Sequence, residues 1–252
     1  MTAAQRFFIE LSYDGTNYHG WQLQPNALGV QEVLNKALST ILRQPIETLG
    51  CGRTDTGVHA KQFFAHFALQ APEGGVFKFD DSHIRSLNAI LPQDIAVKRI
   101  FEVAPDAHAR FDAILRSYEY HIHFYKDPFK NGYSWLLRDE PDLELMNQAA
   151  KIIMEYTDFS CFSKSNTQVK TNNCKISKAE WLRIDGGIVF RISADRFLRN
   201  MVRAIVGTLL QVGQHEIEPW QVRTIIQSKN RSKAGVSVPA CGLYLAEVKY
   251  LF

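Results

Sequence analysis

Apolar residues recur along this chain at two spacings, and the switching between them outlines a fold. Val30, Val33, Leu34, Ala37, Leu38, Ile41 and Leu42 fall at i, i+3, i+4, i+7 and i+8, the stripe of an amphipathic helix. Met146, Ala149, Ala150, Ile153 and Met154 mark a second helix, 84–91 a short one stopped by Pro92, and 220–226 another. A longer helical pattern covers 197–212, with Gly213 placed to end it. Between the helices, β-branched and aromatic residues read as strands over 6–13, 46–51, 63–69, 95–103, 114–124 and 243–250. The segments 179–184 and 188–192 flank Asp185-Gly186-Gly187, a strong hairpin turn.

Strand, helix and strands therefore occur twice in succession. This order predicts an α+β protein of two ferredoxin-like α/β halves, forming a continuous, mostly antiparallel sheet flanked by helices. The halves divide near residue 105, into 1–105 and 106–252, and nothing in 104–111 has the composition of a flexible linker.

Composition changes this picture little. The apolar share of 46% and charged share of 22% belong to an ordinary soluble globular protein, long enough at 252 residues for an ample core. A net charge of +3 says little about partners, but its distribution says more. Lys164, Lys170, Lys175, Lys178, Arg183, Arg191, Arg196, Arg199 and Arg203 face only Glu180, Asp185 and Asp195 in their window, and Lys229, Arg231 and Lys233 form a further cluster. Such local stripes are what nucleic acids bind, although a solvated basic surface would look the same. No secretory signal is visible, and the longest apolar stretch, 204–212, is too short to span a bilayer. Cys51, Cys161, Cys174 and Cys241 include no CxxC pair and read as reduced thiols of a cytoplasmic protein.

Several chemistries lack their residues. GCGRTDTG (50–57) would need a glycine at 55 to match GxGxxG, and a strand rather than a helix follows it. There is no GxSxG elbow and no HExxH. His121 and His123 share a strand face without a third ligand near in sequence, so no metal is expected. The chemistry left is that of carboxylate, arginine and tyrosine. Asp55, in the tight loop GRTDTG, is either a turn residue or a reactive group presented by a glycine-permitted bend. Tyr118 and Tyr120 share a strand face and could be half-buried sheet aromatics or a stacking surface. Arg196, Arg199 and Arg203, on the expected helix, would lie within one narrow arc, where their mutual repulsion favours an anionic partner opposite.

The strings YDGTNYHGWQ (13–22), VQEVLNKAL (30–38), GRTDTGVHA (52–60), LNAILPQDIAV (87–97), HARFDA (108–113), RSYEY (116–120), FLRNMVRAIVG (197–207) and ACGLYL (240–245) follow one another in order. Together they resemble the tRNA pseudouridine synthase A family over essentially the whole chain. The resemblance implies the pseudouridine synthase fold, a cofactor-free homodimer, and isomerisation of uridines 38, 39 and 40 in the anticodon stem-loop of tRNA. It implies Asp55 as nucleophile, with Arg53 in the same loop reaching the RNA. Tyr118 would stack on the target uracil, Arg203 would pair with Asp55, and Leu243 would help form the pocket floor. Arg196, Arg199, Lys229, Arg231 and Lys233 would hold phosphates. Thr56 stands where the family motif usually has alanine. The residue chemistry agrees, because the isomerisation needs an ionised nucleophile and a base taken out of its stack. Two rivals are an inert RNA-binding sheet, which has no use for an arginine-paired aspartate, and a glycosidase, which would want a second carboxylate across the bond.

Overall fold

A computed structural model describes residues 4–70, 75–163 and 171–252. Lys164 and Lys170 of the basic window lie outside the described residues. The fold is mixed α/β, with a mostly antiparallel sheet and, among the described residues, five α-helices. None of the described helices is long and apolar enough to cross a membrane. The chain makes two compact units, Met1–Ile114 with Glu247–Phe252, and Leu115–Ala246.

The first unit holds β1 (Gln5–Tyr13), α1 (Val30–Leu42), β2 (Leu49–Gly50), β3 (His59–Leu69), α2 (Asp81–Ile90) and β4 (Ile95–Val103). β1 lies between β4 and β3, antiparallel to both, with Phe7 opposite Phe67 and Phe8 opposite Phe101. α1 buries Val30, Leu34, Ala37 and Leu38, the stripe the sequence pattern marks. α2 starts earlier than its apolar spacing indicates, because the Asp80 carboxylate caps the Ser82 and His83 amides. β2 is shorter than expected. Ile46 and Thr48 donate their amides to Ser39 Oγ and Asn35 Oδ1 of α1, so this stretch satisfies its backbone on helix side chains instead of a strand.

The second unit holds β5 (Leu115–His123), β6 (Trp135–Leu136), α3 (Leu143–Ile153), β7 (Ile176–Ile184), β8 (Gly187–Ala194), α4 (Met201–Gly213), α5 (Gln221–Gln227) and β9 (Leu243–Lys249), which ends in the first unit. β8 lies between β5 and β7, and the β7–β8 hairpin turns at Gly186 with φ of 63°. α3 is stitched to β7 by Asn147, whose amide exchanges two hydrogen bonds with the Trp181 backbone. Eleven of the 13 residues of α4 are buried, which makes it the central helix of this unit.

α4 departs from the sequence reading at its start. Asn200 sits in the left-handed region at φ 65°, and helical geometry begins only at Met201. Upstream, the Asp195 carboxylate accepts the amides of Lys175 and Arg196. Arg196 and Arg199 therefore precede the helix, and the single helical arc expected of the three arginines does not form. Local side-chain bonding and an asparagine tolerant of positive φ override the apolar periodicity here.

Candidate active site

The loop carrying Asp55 leaves the sheet directly after β2, where the Cys51 amide still donates to Phe64 O at 2.7 Å. Val58 N donates to Asp55 O at 3.1 Å and closes a turn, with Gly57 at φ 76° supplying the left-handed third position. Arg53 is exposed, Asp55 half-buried, and Thr54 between them buried. The Thr54 hydroxyl shares a 2.9 Å hydrogen bond with the hydroxyl of Tyr13.

A second segment braces this loop from outside. Residues 13–22 pass so close that a Cβ on Gly15 would sit 2.0 Å from Val58 O, and one on Gly20 would sit 2.2 Å from Thr54 O. Gly20 also has φ of 86°, which side chains rarely tolerate. Tyr18 O accepts the Gly57 amide at 3.2 Å, and the Gly15 amide donates to His59 Nδ1 at 3.0 Å. Asp14 Oδ1 lies at the same distance from that ring nitrogen. Tyr18 is itself locked, its hydroxyl donating to Asp94 Oδ1 at 2.6 Å; burial, reinforced by Asp94, pushes that hydroxyl's pKa well above the ordinary tyrosine value. Asp55 is thus the half-exposed residue of a turn fastened on either side, at Thr54 and at Gly57–Val58.

In the second unit Tyr118 lies on β5 opposite Ile192, half-buried, with its ring edge-on to Phe197 at 5.1 Å. Tyr120, on the same strand face, is fully buried, and its hydroxyl donates to Pro239 O at 2.8 Å. Burial raises its pKa strongly. Of the two tyrosines, Tyr120 is a packing residue and Tyr118 keeps a partly open ring. Leu243 is buried at the start of β9. Arg203, in the first turn of α4, is half-buried and donates Nε to Val238 O at 2.7 Å.

The outer cations differ in what already holds them. Lys229 pairs with Asp158 at 2.8 Å, and that contact, with the Ser160 hydroxyl, draws the Asp158 pKa down to about 2. Arg231 donates to Ala234 O, Gly235 O and Ser237 Oγ. Lys233 and Arg199 are exposed and Arg196 half-buried. Tyr13, Tyr18 and Asp94, the braces of the Asp55 loop, do not stand out in the sequence as site residues. Their signal lies in the glycine spacing of YDGTNYHG, since paired glycines beside an aromatic strand end mark close backbone approach.

A family model described as tRNA pseudouridine synthase matches residues 156–251. The chain is 51% identical to tRNA pseudouridine synthase A of Bacteroides fragilis, over 98% of this chain and 97% of that one. Identity to the protein of the same name from Porphyromonas gingivalis is 49%, over 97% of each. For the Clostridium acetobutylicum protein of that name it is 40%, over 96% of this chain and 98% of the other.

Proposed function

The chain belongs to the tRNA pseudouridine synthase A family, and from that premise we propose that it isomerises uridines 38, 39 and 40 of the tRNA anticodon stem-loop with Asp55 as nucleophile. The observation that carries the assignment is the placement of Asp55. Its neighbours are pinned by Tyr13, Gly15, Tyr18 and Gly20, while its own side chain is half-exposed. A carboxylate held in this way loses little freedom on reaching a reactive geometry.

In the reaction, the Asp55 carboxylate adds covalently to the nucleotide and the N1–C1′ glycosidic bond breaks. The uracil turns, C5 bonds C1′, the C5 proton leaves to solvent while the freed N1 takes up a proton from solvent, and the carboxylate is released, so atoms and charge balance. The target base must leave its stack to be reached, and Tyr118 supplies a replacement face. Arg203 pairs with Asp55 and fixes the orientation of its carboxylate. Leu243 gives the pocket an apolar floor. Arg53, exposed beside the nucleophile, reaches the RNA backbone, and Arg196, Arg199, Lys229 and Lys233 add phosphate contacts. Arg231 stands apart from this group, because its guanidinium is engaged by its own loop. The proposed working form is a cytoplasmic homodimer, for which light scattering should give twice the 28.7 kDa chain mass.

The test is tritium release from tRNA labelled at uridine C5. The wild-type protein should release it, and Asp55→Asn should bind tRNA and fold normally while releasing none, since asparagine keeps the turn chemistry but not the nucleophile. Near-normal release by Asp55→Asn would remove the assignment.

A further inference from the structure

Residues 231–238 lie across α4 as a strap, and several fastenings of that strap converge on the first turns of the helix. Gly207 and Gly235 meet at the crossing: a Cβ on Gly207 would stand 1.8 Å from Val236 O, and one on Gly235 would stand 2.7 Å from the Gly207 backbone. The Gly235 amide donates to the buried Thr208 hydroxyl at 2.8 Å, while that hydroxyl donates onward to Ala204 O. At the far end Val238 exchanges two bonds with Arg203: its amide donates to Arg203 O at 3.3 Å, and its carbonyl accepts Arg203 Nε at 2.7 Å. Between these points sits Ser237. Its Oγ accepts from the side-chain amide of Asn200, the left-handed residue that starts α4, and from Arg231 at 2.9 Å. Arg231 also donates to Ala234 O and Gly235 O, at 3.4 and 3.1 Å, so one guanidinium gathers the strap on itself.

We propose that Arg231, acting through Ser237 and the Val238 carbonyl, is a positioning residue that aims the Arg203 guanidinium, rather than a phosphate contact. The proposal rests on the reading that Arg203 partners Asp55. A guanidinium tied at Nε by a fixed carbonyl has its plane and rotation set, and keeps its two η nitrogens for a carboxylate. The strap fixes that carbonyl, and Arg231 is what folds the strap upon itself. Its charge is held among carbonyl and hydroxyl oxygens of its own loop, an arrangement that serves geometry better than phosphate capture. Lys233, two residues on and exposed, is the contrasting case of a cation directed at solvent.

Two readouts separate the roles. If Arg231 gripped a phosphate, Arg231→Ala would weaken tRNA binding and lower the slope of log K against log salt by somewhat less than one. If Arg231 positions Arg203, the same substitution should leave affinity within about twofold and the slope unchanged. Single-turnover pseudouridine formation should then slow roughly 10- to 100-fold, the scale of a catalytic group misplaced by about 1 Å. The decisive arm is a double-mutant cycle. In an Arg203→Ala background, removing Arg231 should cost nothing further, because the residue it aims is gone. Arg231→Lys should recover part of the rate. If Arg231→Ala fails to fold, Ser237→Ala, which cuts the link between Arg231 and Asn200, carries the same cycle. Additive losses in the cycle, or a changed salt slope with a normal rate, would overturn the proposal. A wild-type protein that forms no pseudouridine would instead remove the reading beneath it, and this proposal with it.

Discussion

Replacing Gly20 with alanine should damage catalysis more than RNA binding, although residue 20 is outside the reactive loop. The added Cβ meets Thr54 O at 2.2 Å, more than 1 Å inside ordinary contact, and the obstacle is backbone that cannot rotate away. Gly20 also sits at φ 86°, where an L side chain costs about 1–2 kcal/mol. Relief of the overlap adds about 1–3 kcal/mol, the usual range for overpacking. Total destabilisation of about 2–5 kcal/mol should appear as a fall of several degrees in melting temperature. Whatever movement relieves the clash must displace Thr54, the residue before Asp55, and a shift of about 1 Å in a reacting group can cost roughly 100-fold in rate. Single-turnover tritium release, with a gel-shift for affinity, measures both effects. Gly52→Ala is the matched control for stability, since its Cβ would meet nothing within 4 Å. A Gly20→Ala protein as stable as Gly52→Ala and as fast as wild type would refute the view that the 13–22 segment braces the nucleophile loop.

Tyr118→Ala should lose about 1–3 kcal/mol of base stacking, whereas Tyr118→Phe should retain it; equal impairment of the two in single-turnover assays would assign the contribution to the hydroxyl. His66, buried on β3 with Nδ1 accepting the Ala109 amide, is an acid-sensitive point of the first unit. Burial, with His108 and Arg6 nearby, lowers its pKa from 6.5 to about 4. The unfolded chain therefore binds the extra proton first, and stability should fall as pH drops through 6.5 towards 4, by up to about 3 kcal/mol. Urea titrations at pH 7 and pH 5 should show about 2 kcal/mol of this loss, and His66→Gln should flatten it.

How far the fold could be read from sequence depended on where backbone hydrogen bonds were satisfied. α1 and β4 came out at their observed limits because periodic burial alone decides them. β2 and the start of α4 did not, because side chains (Asn35 and Ser39 in one case, Asp195 and Asn200 in the other) take over bonds that a periodicity argument assigns to strand or helix. The candidate site shows the same division. Asp55, Arg53, Tyr118 and Arg203 are chemically conspicuous in short motifs. The groups that hold the loop and the strap in place, among them Tyr13, Tyr18, Asn200 and Ser237, act through individual hydrogen bonds, mostly between segments far apart in sequence, for which one sequence carries no periodic signal. Arg231 illustrates the hazard: beside Lys229 and Lys233 it reads as part of a basic patch, yet it bonds to its own loop.

The first unit is interrupted in sequence, since it regains the chain only at Glu247. Phe8 meets the rings of Tyr250 and Phe252 at 5.3 and 5.4 Å, Tyr250 donates its hydroxyl to Ala109 O, and Ile114 N donates to Lys249 O. During translation these contacts wait until residues 247–252 have left the ribosome, long after the rest of the unit has been made. The uninterrupted second unit carries no such delay. The nascent chain thus holds an uncovered aromatic face on β1 for the time needed to synthesise the whole of its other half, and the order of completion on the ribosome reverses the order of the units along the message.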